Sequence, residues 1–542
     1  MLDVILRNGK IVDGTGNPWY YGDVGIRGGQ IALVGSLEQD AATVIDVNGN
    51  VIAPGFIDGH CHSDLMLLNY PESEIKLAQG VTTEVIGNCG LAPAPFLEPY
   101  GDMLRQYVQP ILGDTANWSW RTIDQYIETL SRRHPSGNVS TYVAHGALRI
   151  AVMGFDDRPP TGEERERMKT MLEEGMRAGA IGLSIGLLYA PGSYSTKEEI
   201  AELCSVLPKY GGLLAAHIRG EGNRLIESVK EVIWIAQKAG VPLHISHLKA
   251  AGRRNWGKAS EAMALIAEAR AHGWDVTCDV YPYNASSTML TTLLPPWTLE
   301  GGIGRTLERL RDPSLRAKVK AELCEEREDW DNLVHSTGWE NVVIASVRTE
   351  ANRPLEGRHL AEIAAERGVH PADAAMDVLL EEEGQVSIVY FLMAEEEMRS
   401  ILQWSESLIA SDSLHCDVGK PHPRLYGTFP RVLAKYVREE RALTLEQAVR
   451  KMTSFPAARF RLGRRGLIAP GYAADLVVFD PDEIRDHSTY QDPKRAPSGV
   501  THVWVNGQLA MKNGSHAGAR SGAFLPACRC VGHVGHEGFQ HK

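Results

Sequence analysis

The sequence predicts an α/β protein that consists of a TIM-like (β/α)8 barrel, a small β-sandwich built from both chain termini, and an insertion between the last two barrel strands. Two observations predict this architecture. The middle of the chain alternates β-rich apolar runs with amphipathic helical stretches, whereas both ends are rich in short β runs and hairpin signals. The chain of 542 residues is also too long for one simple core, so more than one domain is expected.

The two ends of the chain, residues 1–54 and 461–527, resemble each other and are predicted to form the sandwich together. Hairpin turns are expected at Asn8-Gly9, Gly28-Gly29 and Asn506-Gly507. These dipeptides adopt the positive φ angles that tight two-residue turns require. The ends therefore supply strands, and the larger domain lies between them.

Residues 55–460 are predicted to form the barrel. Capping boxes at Thr161 to Glu164 and at Ser195 to Glu198 mark the starts of two of its helices. The β-rich runs of this region are "VIAPGFIDGH", "TTEVIGNCG", "VSTYVAHG", "AIGLSIG", "LLAAHIRG", "PLHISHLK", "DVTCDVYPY" and "SLIASDS". Eight such runs alternating with helices are typical of a (β/α)8 barrel.

One long stretch, at about residues 285–385, interrupts this alternation and is predicted to be an insertion that serves as a candidate lid. Helices are expected around Leu307 to Glu326, and "QVSIVYFLM" is a ninth strand candidate. Beyond the sandwich, residues 528–542 are predicted to be a flexible tail. The Cys and His residues of this tail have the spacing C-x-C-x2-H-x2-H, which matches no familiar zinc finger.

The composition narrows the classes of partner and location. The net charge of −12 disfavours nucleic acid and anionic membranes, which both attract basic proteins. No apolar run is long enough to span a bilayer, and the N-terminus "MLDVILRNGK" lacks the layout of a signal peptide. Eight scattered cysteines indicate reduced thiols in a cytoplasm. The charge does not identify a substrate, and an oligomer is left open.

Imidazole, thiol and carboxylate groups follow most of the predicted barrel strands. In chain order they are His60, His62, Cys89, His145, His217, His244, His247, Asp279 and Asp412. In a barrel the carboxyl ends of the strands share one rim, where active sites lie. Each residue alone is as well explained by core packing or a loop cap, but together they are the ligand types of zinc. Three protein ligands and an open position would make such a site catalytic.

Several motifs resemble those of the N-acyl-D-amino-acid deacylases (D-aminoacylases), a family of the amidohydrolase superfamily. The motifs are "PGFIDGHCHSD", "GNCG", "AHIRGEG", "HISHLK", "CDVYPY" and "PHPRLYGTFPRVL", and the resemblance extends to about Ala527. It implies zinc-dependent hydrolysis of a linear amide bond, which converts an N-acyl-D-amino acid to a D-amino acid and a carboxylate. The preference for the D enantiomer comes from this resemblance alone.

The resemblance also implies roles for individual residues. Cys89, His217 and His247 would hold a tightly bound Zn²⁺. His60, His62 and Asp412 would face the same pocket, where a weaker second ion could bind. Many binuclear relatives have a carboxylated lysine at the end of the fourth strand, but "AIGLSIGLLYAPG" contains none, which fits the cysteine type of site. Asp412 would be the general base and acid.

Substrate recognition requires a cation for the free carboxylate of the amino acid. The residues that match family positions are Arg424 for the carboxylate, Tyr281 and Ser287 as hydroxyl donors, and Tyr189 and Lys249 near the scissile amide. The segment "YNASSTMLTTLLPPW" has no Arg, Lys or His, and is expected to form an apolar wall that favours apolar side chains; its members are Met289, Leu290, Leu293, Leu294 and Trp297. The alternatives are an amidohydrolase for cyclic or dipeptide-like amides and a non-catalytic scaffold.

Overall fold

The computed structural model describes residues 1–414 and 418–528, and its architecture is α/β. The strands are β1 Leu2–Ile11, β2 Tyr20–Arg27, β3 Gln30–Gly35, β4 Ala41–Asp46, β5 Val51–Pro54, β6 Phe56–Asp58, β7 Cys61–His62, β8 Val81–Ile86, β9 Asn138–Thr141, β10 Val143–Ala144, β11 Gly182–Gly186, β12 Leu213–His217, β13 Leu243–Ile245, β14 Val276–Val280, β15 Ala285–Met289, β16 Val342–Ser346, β17 Ser387–Phe391, β18 Ser407–Ile409, β19 Ser413–Leu414, β20 Leu476–Phe479, β21 Val500–Val505, β22 Gln508–Lys512 and β23 Ser515–His516.

The α-helices lie mostly between these strands. They are α1 Met66–Asn69, α2 Glu74–Leu77, α3 Gly101–Leu112, α4 Ile123–Arg132, α5 His145–Met153, α6 Gly162–Ala178, α7 Lys197–Cys204, α8 Leu225–Ala239, α9 Lys258–Ala271, α10 Gly302–Arg311, α11 Pro313–Leu323, α12 Leu333–Thr337, α13 Leu360–Arg367, α14 Pro371–Glu381, α15 Glu395–Gln403, α16 Arg424–Arg431, α17 Leu445–Met452 and α18 Ser454–Arg459. Within the described residues, no helix combines the length and the apolar character that crossing a membrane would require.

Strands from both ends of the chain share one sheet. Its order is β23-β22-β21-β20-β5-β1-β2-β3, and β4 also pairs with β1. The N-terminal and C-terminal parts meet where β5 pairs antiparallel with β20. Alternate side chains of these strands are buried in one apolar cluster that includes Ile26, Ile52 and Trp504. The sheet therefore joins the two chain ends next to the parallel strands described below.

Two of the three predicted hairpin turns are confirmed, and one is wrong. Gly28-Gly29 joins β2 to β3, and Asn506-Gly507 joins β21 to β22. At Asn8-Gly9 the chain does not turn, because β1 continues through both residues with a shift in register. Asn8 has a φ of 59°, and a Cβ at Gly9 would overlap the side chain of Ile52. Gly9 thus serves close packing beneath a β-bulge.

Parallel strands form the middle of the chain. One sheet has the order β10-β11-β12-β13-β14-β18, a second has the order β6-β8-β9, and β7 pairs with β19. All of these pairings are parallel, and helices connect most consecutive strands. Within each of these sheets the carboxyl ends of the strands lie at one edge, which is where ligands bind in α/β proteins.

One of the two predicted capping boxes is confirmed at the start of a helix. At the start of α6, the Thr161 side chain accepts a hydrogen bond from the Glu164 backbone, and the Glu164 side chain accepts one from Thr161. The prediction of a box at Ser195 to Glu198 is wrong by one residue, because Thr196 caps α7 and accepts from Glu199 N. Ser195 instead donates to the Glu199 carboxylate at 3.0 Å.

The predicted insertion between β14 and β18 contains its own sheet and its own core. Strands β15, β17 and β16 form an antiparallel sheet in that order, so the ninth strand candidate is its central strand, β17. β17 ends at Phe391, a few residues beyond the predicted end of the insertion at about residue 385. Helices α10 and α11 cover most of the range expected to be helical. Of the predicted tail, residues 529–542 lie outside the described residues.

Candidate metal centre

The carboxyl ends of five parallel strands and the loops after them bring most of the predicted ligands together, and His62 lies in the short strand β7. His217 is the last residue of β12, and His247 follows β13 by two residues. His60 follows β6, Cys89 follows β8 and Asp412 follows β18, each within three residues of the strand end. Because neighbouring parallel strands end at the same edge, these side chains converge on one buried space.

Two overlapping groups of side chains are close enough to hold metal ions. The first comprises Cys89, His217 and His247, and the second comprises His60, His62, Cys89 and Asp412; within each group the potential ligand atoms lie within 4.8 Å of one another. Cys89 belongs to both groups. Its Sγ is 3.2 Å from His60 Nε2 and 3.5 Å from His247 Nε2.

The chemistry of the first group fits zinc. Both ring nitrogens of His217 are buried and have no hydrogen-bond partner in the described part of the chain, which is uncommon for a buried polar group. Burial and the neighbouring His247 lower the pKa of His217, so its ring is neutral and can act as a ligand. Burial raises the pKa of Cys89, but His60 and His247 outweigh it, and the thiol pKa falls well below its usual range. One thiolate with two imidazoles is a donor set that zinc prefers. Burial and Lys249 lower the pKa of His247, but Glu221 and Cys89 outweigh them and raise it to about 9, so a bound metal would displace the proton of this ring.

Three of the converging residues have left-handed backbone conformations. The φ angles are 56° for Cys89, 37° for His247 and 48° for Asp412. Residues other than glycine rarely adopt such angles, and each costs about 1–3 kcal/mol when it does. Backbone strain of this kind is concentrated at functional sites, where the surrounding structure holds it in place. No sequence pattern signals this strain.

The absence of a lysine at the end of β11 has a steric cause. β11 ends at Gly186, and a Cβ at that position would overlap the carbonyl oxygen of Cys89. The cysteine loop therefore occupies the space into which a side chain from this strand end would project. A lysine at Gly186 would therefore clash with the Cys89 loop, which agrees with the expectation that the missing lysine fits the cysteine type of site.

Carboxylates behind the imidazoles set the orientation of the rings. Asp279 Oδ2 lies 3.1 Å from His60 Nδ1, and Asp279 Oδ1 accepts a hydrogen bond from the backbone of His247 at 2.8 Å. Glu221 Oε1 lies 3.0 Å from His247 Nδ1. Although burial raises the pKa of both carboxyls, their cationic and imidazole neighbours lower it far below the usual range. Such carboxylates fix which ring nitrogen faces the metal.

A buried lysine that sequence reasoning missed supports the Asp412 loop. Lys76 Nζ lies 2.5 Å from Asp58 Oδ2 and 2.8 Å from Ser413 Oγ, and Asp58 Oδ1 accepts from Ser411 N at 2.9 Å. Ser411 and Ser413 flank Asp412, so this network holds the loop that presents its carboxylate. Lys76 follows no strand and belongs to no quoted motif, so only the folded structure reveals its place.

Two histidines of the predicted rim lie outside both ligand groups. His145 is the first residue of α5 and faces Glu199, with Nε2 3.7 Å from the carboxylate. His244 is within β13, where its ring nitrogens lie 2.8 Å from Thr277 Oγ1 and 2.9 Å from Asp279 Oδ2. His244 therefore has hydrogen-bond partners on both ring nitrogens, whereas neither ring nitrogen of His145 has one among the described residues.

Asp412 lies between the imidazoles and a buried arginine. Its Oδ1 is 3.4 Å from His60 Nε2 and 3.3 Å from His62 Nε2, whereas its Oδ2 is 2.9 Å from Arg424 Nη1. Burial raises the pKa of this carboxyl, but Arg424 and His60 outweigh it and hold the pKa well below the usual range. The guanidinium lies 4.6 Å from the centre of the Tyr281 ring, and its Nε has no hydrogen-bond partner among the described residues. Donors are therefore available beside Asp412.

The other predicted substrate residues line or approach the same space. The Tyr189 ring lies 4.8 Å from the His217 ring and its hydroxyl is 3.1 Å from Thr288 Oγ1. Lys249 Nζ is 2.6 Å from Glu221. Ser287 Oγ donates to the backbone oxygen of Ile388, so this hydroxyl already has an acceptor.

The predicted apolar wall is wrong in its position. A small cavity of about 30 Å³ lies over the metal-ligand groups, and its apolar lining comes from Leu91, Ile111, Leu188, Leu333, Leu392 and Leu414. Leu290 and Leu293 are instead buried in the core of the insertion. Met289, Leu294 and Trp297 line a neighbouring cavity. Strand β15 and the turns after it direct these side chains away from the ligand groups, which a linear segment could not indicate.

Parallel strands that present buried imidazoles, a thiolate and a carboxylate at their carboxyl ends are the arrangement of a metal-dependent hydrolase. The sequence profile of the Amidohydrolase family matches residues 43–511, and the chain belongs to this family.

Relatives that match nearly the whole chain indicate a narrower group within this family. The chain is 36% identical to D-aminoacylase from Alcaligenes xylosoxydans xylosoxydans, over 96% of this chain and 97% of the relative. It is 37% identical to N-acyl-D-glutamate deacylase from the same organism, over 93% of each. A solved relative is N-acyl-D-glutamate deacylase from Bordetella bronchiseptica, whose crystal structure contains zinc and a phosphonate mimic of the tetrahedral intermediate. It superposes on this protein with a TM-score of 0.82 at 34% sequence identity, and the match covers 97% of this chain and 100% of that chain.

Proposed function

We propose that this protein is a zinc-dependent N-acyl-D-amino-acid deacylase. The observation that carries the proposal is the buried group of Cys89, His217 and His247 beside Asp412 and Arg424. This arrangement combines a metal site, a proton acceptor and a cation within one space. The full-length similarity to the D-aminoacylase and the N-acyl-D-glutamate deacylase supports the choice of substrate class.

In this proposal, Cys89, His217 and His247 hold the tightly bound zinc, and His60, His62 and Asp412 face the position of a weaker second ion. Zinc supplies Lewis acidity, which activates a water molecule and polarises an amide carbonyl. Asp279 and Glu221 support the assignment, because each orients an imidazole of the site.

Asp412 is proposed to move the proton. Its carboxylate is ionised at neutral pH, and its Oδ1 faces the imidazoles where the attacking water would lie. Asp412 takes a proton from that water as the water attacks the carbonyl carbon. It then delivers the proton to the amide nitrogen as the C–N bond breaks, so that the amine leaves neutral. The products are a carboxylate and a D-amino acid.

Arg424 is proposed to bind the free carboxylate of the substrate. Its guanidinium is fully buried beside Asp412, and planar guanidinium groups bind carboxylates through paired hydrogen bonds. Tyr281 and Ser287 would complete this end of the site. Tyr189 and Lys249 would lie near the scissile amide, since they flank His217 and His247.

We also propose how the sheets around this site are divided between a barrel and a sandwich. The parallel strands within residues 55–460 are proposed to close into one (β/α)8 barrel, and the strands of residues 1–54 and 461–527 to form the sandwich. The six-stranded and three-stranded parallel sheets and the shared terminal sheet support this division. The insertion, from residue 285 to the end of β17 at residue 391, would cover the rim.

A cytoplasmic location and a small-molecule substrate are also proposed. Cys61, Cys204 and Cys278 are buried as separate free thiols, which suits a reducing compartment. The net charge of −12 supports a partner other than nucleic acid or an anionic membrane.

Hydrolysis of paired enantiomers tests the proposal. The zinc-loaded protein is expected to hydrolyse the N-acetyl derivatives of D-Leu, D-Met and D-Phe and to leave the L enantiomers intact. It is also expected to hydrolyse N-acetyl-D-Glu and N-acetyl-D-Asp with at least about tenfold lower kcat/KM, because a second carboxylate would be buried without a partner. Among the Lys and Arg residues that the structure describes, Lys249 is the one that lines the metal pocket, and Glu221 already pairs with it.

Other substrates in the same assay separate the alternatives. Turnover of a hydantoin or of a dipeptide, with none of the N-acetyl-D-amino acids, would replace the proposed activity with that of a different amidohydrolase. A higher kcat/KM for the D-Glu or D-Asp derivative would contradict the expected preference for apolar side chains. It would point to a cation that is supplied from outside the segment at residues 283–297.

A further inference from the structure

A second cavity lies next to the metal pocket and is much larger. Its volume is about 340 Å³, compared with about 30 Å³ for the metal pocket. Leu188, Tyr189 and Thr292 line both cavities, so the two spaces share part of their walls. A space of 30 Å³ holds little more than a water molecule, whereas ligand pockets usually exceed about 300 Å³. A whole N-acyl amino acid therefore needs space beyond the metal pocket.

The larger cavity presents apolar and aromatic surface. Its walls include Tyr194, Met289, Leu294, Trp297 and Leu299, three of which come from the segment predicted to lie against the substrate. These side chains suit an apolar group, which gains free energy when it leaves water.

The charged residues of this cavity are engaged or lie at its mouth. Arg219 bonds to the Glu231 carboxylate at 3.0 Å and to the backbone oxygen of Ser193 at 2.7 Å. Asp331 accepts a hydrogen bond from the backbone of Gly222 at 2.7 Å. Asp157 and Asp329 are exposed, and they place negative charge where the cavity opens to solvent. Arg224, the remaining charged residue of the lining, donates to the backbone oxygen of Asp329 at 2.7 Å. The three aspartates of the lining outnumber the two arginines, so a carboxylate is disfavoured at this end of the site.

We propose that this cavity binds the acyl chain of the substrate, and that the enzyme prefers N-acyl groups longer than acetyl. The proposal rests on the deacylase function and specifies its acyl group. The class of acyl group is an apolar aliphatic chain, which suits the lining of this cavity.

The orientation follows from the two ends of the site. Arg424, the proposed carboxylate-binding residue, contacts Asp412, whereas Tyr189, which separates the cavities, packs on His217. Asp412 and His217 belong to different ligand groups that meet at Cys89. A substrate whose carboxylate lies at Arg424 and whose scissile bond lies over Cys89 thus extends its acyl group towards Tyr189. Tyr189 also lines the second cavity, so this cavity is next to the position of the acyl group.

Chain-length dependence of the zinc-loaded protein tests the proposal. The substrates are the acetyl, hexanoyl and octanoyl derivatives of D-Leu, with N-acetyl-D-2-aminooctanoate as the derivative that lengthens the side chain instead. Each buried methylene contributes up to about fourfold in kcat/KM. The hexanoyl derivative is expected to exceed the acetyl derivative by at least about tenfold, and the lengthened side chain is expected to give no comparable gain.

A matched pair of variants tests whether the dependence on acyl-chain length arises in the larger cavity. L299D places a charge in the wall of the larger cavity, and is expected to lower kcat/KM for the hexanoyl derivative at least about tenfold while the acetyl derivative changes less than about twofold. L315D makes the same change on a partly buried insertion leucine that lines neither cavity, and is expected to alter neither value.

The outcomes separate this inference from the proposed function. Equal kcat/KM for the acetyl and hexanoyl derivatives in the unmodified protein would overturn the acyl site while leaving the deacylase function intact. A gain from the lengthened side chain in place of the acyl chain would overturn it as well. Failure to hydrolyse any N-acyl-D-Leu would instead overturn the deacylase function.

Discussion

D412N is expected to lower kcat for N-acetyl-D-Leu by about 10²–10⁴, because the amide cannot accept the proton of the attacking water. The substitution preserves the shape of the side chain and leaves Cys89, His217 and His247 unchanged. The variant should therefore retain its tightly bound zinc. The measurement is kcat together with zinc per chain. If the variant keeps more than about a tenth of the original kcat, another group transfers the proton.

A matched control distinguishes the loss of a proton acceptor from the loss of a buried ion pair. D412N leaves the buried Arg424 without its carboxylate partner, which lowers stability as well. D475N makes the same chemical change in another buried aspartate that pairs with an arginine, Arg465, at the terminal sheet. It is expected to lower Tm while kcat stays within about twofold. Equal losses of kcat in D412N and D475N would assign the effect of D412N to folding.

Cys89→Ala, His217→Ala and His247→Ala are each expected to lose most of the zinc and most of the activity. Residues that only orient a ligand contribute about 10–100-fold in metal affinity, so a direct ligand should contribute at least that much. His60→Ala is expected to keep a larger share of the zinc, because His60 belongs to the group with Asp412. The measurement is zinc per chain after dialysis of each purified variant.

A glycine variant removes the thiol while sparing the backbone. Cys89 has a φ of 56°, which alanine adopts at a cost and glycine adopts readily. Cys89→Gly should therefore have a higher Tm than Cys89→Ala and the same zinc deficit. Zinc retention in both cysteine variants equal to that of the original protein would remove Cys89 from the tight site.

The sequence was sufficient to predict which strand ends carry the site, because each ligand type directly follows a β-rich run. The convergence of His60, His62, Cys89, His217, His247 and Asp412 required only that parallel strands end at one edge. The central strand of the insertion was also predictable from its apolar, β-branched composition, as β17 shows.

Other features depend on contacts that no linear pattern encodes. Lys76 reaches the Asp412 loop from a short helix that lies far earlier in the chain, and Ser411 and Ser413 become its partners only on folding. The turns after β15 decide that Leu294 and Trp297 face the second cavity and not the metal pocket. The Asn8-Gly9 dipeptide is typical of turns, but Gly9 instead allows the side chain of Ile52 to pack closely against the backbone.

The central claim is that one zinc ion, held by Cys89, His217 and His247, supports hydrolysis of N-acyl-D-amino acids. Titration of the metal-stripped protein with zinc, followed by the rate of N-acetyl-D-Leu hydrolysis, tests it most directly. The expected result is negligible activity without zinc and a linear rise to a plateau at about one zinc per chain. Full activity of the stripped protein, or activity that begins only after the first equivalent of zinc has bound, would contradict the claim.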